Sequence, residues 1–159
     1  MKRKGLVVGL AVCALLLAGV LAGCGSSGTL DNYKKDMKAW VDKYEAELTQ
    51  RVAVLETITD PLAATDEQIK GAQDFVDLAS AAASALEDIK PPEDLASAHQ
   101  TYVDGAKTMT QGVQQFVQAM KDKSSSELSA AMKAMSAGDQ IQQAETTLEQ
   151  ALGFKLTSD

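Results

Sequence analysis

The sequence predicts an all-α fold, an antiparallel up-down-up-down four-helix bundle. Three observations carry that expectation. Beyond residue 29 the apolar residues recur at steps of three and four, the period of one helix face. Proline or serine clusters divide them into four stretches. No stretch alternates with period two for long enough to make a strand. The chain has 159 residues, enough for one such domain over residues 29–159 behind a short N-terminal segment.

The first stretch runs from about Leu30 to Thr59, with Tyr33, Met37, Trp40, Tyr44, Leu48, Val52, Leu55 and Ile58 on its stripe. Asp60-Pro61 stops it, because a residue before proline is pushed out of the helical region. The second stretch starts at Thr65, and Gln68 three residues on makes a capping box. Its stripe is Ile69, Ala72, Val76, Ala79, Ala83 and Leu86, and Pro91 ends it.

Pro92 opens the third stretch, where a missing N–H costs nothing, with Glu93 and Asp94 at the positive end of the dipole. Leu95, His99, Tyr102, Ala106, Met109, Val113, Phe116 and Met120 follow in register. The fourth stretch begins at Ser124–Ser126 with Glu127 as capping partner. Leu128, Met132, Met135, Ile141, Ala144, Leu148 and Leu152 form its looser stripe, closed by Gly153 and Phe154. Gly71, Gly105, Gly112 and Gly138 interrupt helices, which close helix contact or a kink would explain.

The N-terminal segment has a different character. Lys2, Arg3 and Lys4 precede an apolar run from Leu6 to Val20, then Leu21, Ala22, Gly23 and Cys24. Charge, apolar core and small residues in that order make a secretory signal. Its core of about 15 residues is short of the ~20 that span a bilayer. The L-A-G-C at Leu21–Cys24 resembles the lipobox of bacterial prolipoproteins. The resemblance implies a cleaved signal over residues 1–23, a diacylglyceryl group on the Cys24 sulfur and a tether over residues 24–28. At ~0.8 kcal/mol per buried CH₂, two acyl chains anchor a protein where one would not. The expected location is the extracytoplasmic face of the cell membrane, with the Cys24 lipid as the membrane contact.

Removing residues 1–23 leaves 12 Lys and Arg against 22 Asp and Glu, a net charge of −10. That excludes a nucleic-acid partner, whose phosphates require a basic face. Lys34, Lys35 and Lys38 nevertheless crowd the start of the first helix, where the dipole favours acids. Ile89, Pro91, Pro92, Leu95 and His99 resemble an I-x-P-P-x-x-L-x-x-x-H turn signature found in small helical lipoproteins of Gram-positive bacteria. The likeness implies a helix-turn-helix and an anchored protein, and it brings no catalytic residue.

Reactive chemistry is sparse. His99 is the only histidine and lies on the seam of the third stretch. It reads first as a boundary histidine near one end of the bundle, hydrogen-bonded to a neighbouring carboxylate or backbone carbonyl. The first and third helices of such a bundle run parallel, so Met37 stands at a similar height across the core. A facing His and Met resemble the ligand pair of soluble b-type cytochromes. No C-x-x-C-H motif occurs, and one histidine cannot supply a di-iron bundle site. Met109, Met120, Met132 and Met135 cluster near the third turn and read as core filling before Cu(I) ligands. No acid, base and nucleophile assemble, so no enzyme and no cofactor is expected.

Two functions remain. One is a non-enzymatic interaction or sensing module that engages an envelope protein. The other binds a small molecule, haem or metal in a core pocket beside His99, Tyr33, Met37 and Trp40.

Overall fold

The computed structural model describes residues 26–135 and 139–157. Among them are five α-helices and no β-strand: α1 (Ser26–Glu56), α2 (Asp66–Glu87), α3 (Ala96–Asp122), α4 (Ser125–Met135) and α5 (Asp139–Leu152). Leu21–Cys24, on which the lipoprotein expectation rests, lie outside the described residues. No described helix is long and apolar enough to cross a membrane.

The first connection is set by local chemistry. α1 ends at Glu56, where the Thr57 hydroxyl donates to the Val54 carbonyl at 2.7 Å. Asp60 then caps a 3-10 turn, Pro61–Ala63, by accepting from the Leu62 N–H. The Thr65–Gln68 capping box forms in both directions and starts α2. Before α3 the acidic residues occupy a separate 3-10 turn, Glu93–Leu95, with Pro92 as its N-cap. α3 ends at Lys123, held in the left-handed region at φ 51°. At the far end Gly153 takes φ 80°, a conformation glycine adopts without a Cβ penalty.

Cross-helix pairs fix the packing. Gly71 on α2 faces Val54 on α1, and the Trp40 Nε1–H donates to the Ala82 carbonyl at 2.8 Å, so α1 and α2 are antiparallel. Lys107 pairs with Glu87 at 2.6 Å and Lys121 with Gln73 at 2.9 Å, which makes α2 and α3 antiparallel. α4 and α5 both pack on α3. Gly112 faces Met135 of α4, and Gly105 meets Ile141 of α5.

Two expectations need correction. The stretch expected as one fourth helix is described as two, α4 and α5, and residues 136–138 between them lie outside the described residues. Met109 and Met132, expected on core stripes, are 46% and 58% exposed. Ala131 takes the buried position on α4 instead of Met132. On α3 the buried set widens to include Val103 and Val117, because that helix packs against α2 on one flank and α4 and α5 on another.

The core has two centres. One gathers Tyr33, Met37, Trp40 and Tyr44 with Leu86, Tyr102, Leu148, Leu152 and Leu156. The other holds Phe75 and Val76 against Val113, Val117 and Met120.

Candidate functional site

Two features of the first core centre bear on function. The first is the buried pair of Tyr33 and His99. Tyr33 reaches from the first turns of α1, one helical turn before Met37. His99 reaches from the first turn of α3, four residues past Leu95. The Tyr33 hydroxyl and His99 Nδ1 are 2.9 Å apart, and the rings meet edge to face with centroids 5.5 Å apart. His99 is only 4% exposed, and its Nε2 is buried without a hydrogen-bond partner.

Burial opposes the charged form of this histidine and holds its pKa below the ordinary value. Lys90 acts in the same direction, while the Leu86 carbonyl works the other way without meeting Nε2 in hydrogen-bonding geometry. Burial also pushes the Tyr33 phenol far above its ordinary pKa. Both shifts favour a neutral imidazole bonded to a neutral phenol near neutral pH.

Of the residues expected beside one another, the structure brings Tyr33 and His99 into contact. Met37 is fully buried in the same core centre. Trp40 sits farther along α1, its ring edge-on to Tyr102 at 6.5 Å and tilted against Tyr44 at 6.0 Å. Among the described residues no three His, Cys, Asp or Glu side chains gather where they could hold a metal.

The second feature is a cleft between α1, α2, α3 and α5, with a volume of about 340 Å³. Trp40, Leu48, Val52, Phe75, Tyr102 and Ile141 supply its main apolar walls, and Ala79, Ala83 and Ala106 are the small residues that leave it open. Its polar lining consists of Glu45, Thr49, Thr110, Glu145 and Thr157. Glu145 accepts from the Thr157 hydroxyl at 2.7 Å, and the Glu145 and Glu149 carboxylates add to the burial that raises the Tyr102 phenol pKa.

Of the residues proposed from sequence, Trp40 lines this cleft, whereas His99, Tyr33 and Met37 do not. A second, more polar depression at the turn between α1 and α2 is lined by none of the four either. Leu156 completes the cleft beyond α5. Its backbone N–H donates to Glu149 Oε1 at 2.9 Å, and its side chain is 1% exposed. Sequence reasoning stopped at the Gly153-Phe154 helix end and missed it. The available signal was a lone large apolar residue two positions past that clasp.

A scan of family models, a search of curated proteins and a search of solved structures each found no match to this chain.

Proposed function

We propose that the protein is a membrane-anchored extracytoplasmic lipoprotein whose helical domain is a non-enzymatic interaction or sensing module of the cell envelope. The observation that carries this reading is the N-terminal order of three cations, a short apolar core and L-A-G-C. The domain behind it is an acidic bundle of four arms, with α4 and α5 together forming the last. The register supports that arrangement, since Gly112 with Met135 and Gly105 with Ile141 continue one antiparallel alignment across the break.

An acidic exterior suits recognition of a basic or cationic surface. Asp66, Glu67, Asp74 and Asp77 crowd α2 alone. Asp74 alone of these four pairs with cations among the described residues: its carboxyl is held below the ordinary value first by the hydrogen bond from Lys70, then by the charges of Lys70 and Arg51.

Fractionation of cells producing Cys24→Ser tests the anchor. The variant is expected in the soluble fraction or as uncleaved precursor, and normal processing with membrane retention refutes it. Cross-linking in cells, read by mass spectrometry, tests the module. One recurrent envelope protein is expected, and background proteins alone argue against it.

A second reading, a small-molecule binder, is favoured by one observation. The 340 Å³ apolar cleft falls within the ~300–1,000 Å³ range of ligand pockets. Trp40 lines it, whereas His99, Tyr33 and Met37 do not.

A further inference from the structure

We propose that the cleft between α1, α2, α3 and α5 is a binding site for a hydrophobic organic cation. The inference rests on the small-molecule reading above and gives it a ligand class.

Size comes first. An apolar cavity of ~150 Å³ stays dry and takes up benzene, six carbon atoms. The cleft holds about 340 Å³, which on the same scale is room for about a dozen non-hydrogen atoms. Leu48, Val52 and Ile141 offer that body an aliphatic wall, and Ala79, Ala83 and Ala106 do not fill the space between them.

The sign of charge follows from what lines the cleft. Glu45 and Glu145 line it, and no lysine, arginine or histidine does. An anion needs donors, and two of the lining donors are already engaged: the Trp40 Nε1–H by the Ala82 carbonyl and the Thr110 hydroxyl by the Ala106 carbonyl. Three aromatic rings, Trp40, Phe75 and Tyr102, share the lining, and π faces attract cations, most strongly in partly desolvated sites. The negative field of Glu145 that disfavours a phenolate at Tyr102 favours a positive guest. An acidic domain adds a long-range pull on cations.

Three probes of one size and shape separate the contributions: benzyltrimethylammonium, its neutral isostere neopentylbenzene, and benzylsulfonate. Trp40 is the only tryptophan of the chain and lines the cleft, so its emission reports occupancy. The full chain in phosphatidylcholine vesicles is titrated with each probe.

The cation is expected to change Trp40 emission saturably, at a half-saturating concentration at least tenfold below that of the sulfonate. Ala79→Leu, which fills the cleft from α2, is expected to abolish the response with helical circular dichroism unchanged. Glu45→Gln and Glu145→Gln are expected to weaken cation binding several-fold and to leave the neutral probe unaffected. Each variant also alters an acceptor, Glu45 of the Thr49 hydroxyl at 3.2 Å and Glu145 of the Thr157 hydroxyl at 2.7 Å, so the weakening is read against the neutral probe for both.

Equal or tighter binding of the sulfonate overturns the proposal, and so does a cation titration that survives Ala79→Leu. Saturable binding of the neutral probe without a preference for the cation removes the charge claim and leaves the small-molecule reading standing. Failure of all three probes removes both.

Discussion

Tyr33 and His99 are 66 positions apart in sequence, yet the phenol oxygen and the imidazole Nδ1 are 2.9 Å apart in the core. The pair joins the start of α1 to the start of α3, two helices that run in the same direction. A buried hydrogen bond contributes modestly, whereas a buried polar atom left alone is expensive. His99 already has Nε2 in that condition, so Nδ1 is the atom through which the ring is accommodated.

Tyr33→Phe keeps the ring and removes the partner. It is expected to cost about 1–3 kcal/mol, measured by urea unfolding, because it leaves His99 with no hydrogen bond at either nitrogen. His99→Gln is expected to lower thermal stability too, while the folded chain keeps its function. A Tyr33→Phe variant as stable as the parent would show that the bond carries no net stabilisation.

The same ring gives stability a pH dependence. Burial lowers the folded-state pKa of His99 below the ordinary ~6.5 of an unfolded chain. Between those two values the unfolded chain holds a proton that the folded chain lacks. The contribution is therefore complete above about pH 6.5 and falls as the pH drops, by up to about 1.4 kcal/mol per unit. Unfolding of the parent and of His99→Gln at several pH values between 7.5 and 5 checks this. The stability difference should shrink with acid, and a constant difference would place the titration elsewhere.

At Gly105, α3 lies close against the Ile141 side chain of α5. A Cβ built there would run into the Ile141 side chain, and even the Ile141 Cβ is only 3.4 Å away. Alanine gains about 1 kcal/mol of helix propensity, but overpacking of this kind costs about 1–3 kcal/mol. Gly105→Ala is thus expected to lower the melting temperature, and Gly105→Ala with Ile141→Val to recover part of the loss. At Gly112 the nearest atom to such a Cβ is the Met135 Cγ at 2.7 Å, with the Met135 backbone N at an ordinary contact of 3.4 Å, so the clash is milder than with Ile141 and Gly112→Ala should cost less. Equal losses at both sites would argue against steric contact as the cause.

Leu156 shows where the sequence stopped being readable. Periodicity identifies helix faces because 3.6 residues bring one stripe onto one neighbour. It therefore located Tyr33, Met37, Trp40, Leu86 and Leu148 as core residues. It underestimated α3, whose several neighbours require a wider apolar face than one stripe, hence Val103 and Val117. It could not show the cleft at all: facing alanines read as tight packing, and only three dimensions reveal unfilled volume between Ala79, Ala83 and Ala106. Past Gly153 no period exists, so the burial of Leu156 depends on a tertiary contact. Leu156→Ala is expected to cost about 2–3 kcal/mol, at the low end for a buried leucine because the chain end relaxes easily. Chemical denaturation measures it, and a loss under about 0.5 kcal/mol, the usual size of a surface substitution, would contradict the docking of the tail.

The Tyr33–His99 contact also bears on how an anchored domain stands on its membrane. It brings the start of α1 beside the Pro91-Pro92 turn that precedes α3. Lys121 and Lys123 close α3 at the opposite end. On the proposed anchoring, Lys34, Lys35 and Lys38 lie toward the membrane end, and Lys38 pairs with Asp42 at 2.8 Å. A lysine near an anionic leaflet contributes about 1 kcal/mol, against a dipole penalty of a few tenths. With the proposed signal removed the net charge would be −10, and an anionic leaflet would repel the acidic bulk of the domain. The expected posture is upright, with the Pro91-Pro92 turn toward the lipid and the α3–α4 turn farthest from it. Amine labelling of the anchored protein against the Cys24→Ser form measures this. Lys34, Lys35 and Lys38 should be protected only when anchored, while Lys121 and Lys123 label alike in both. Equal labelling of all five in both forms would refute the orientation, and protection of Lys121 and Lys123 would reverse it.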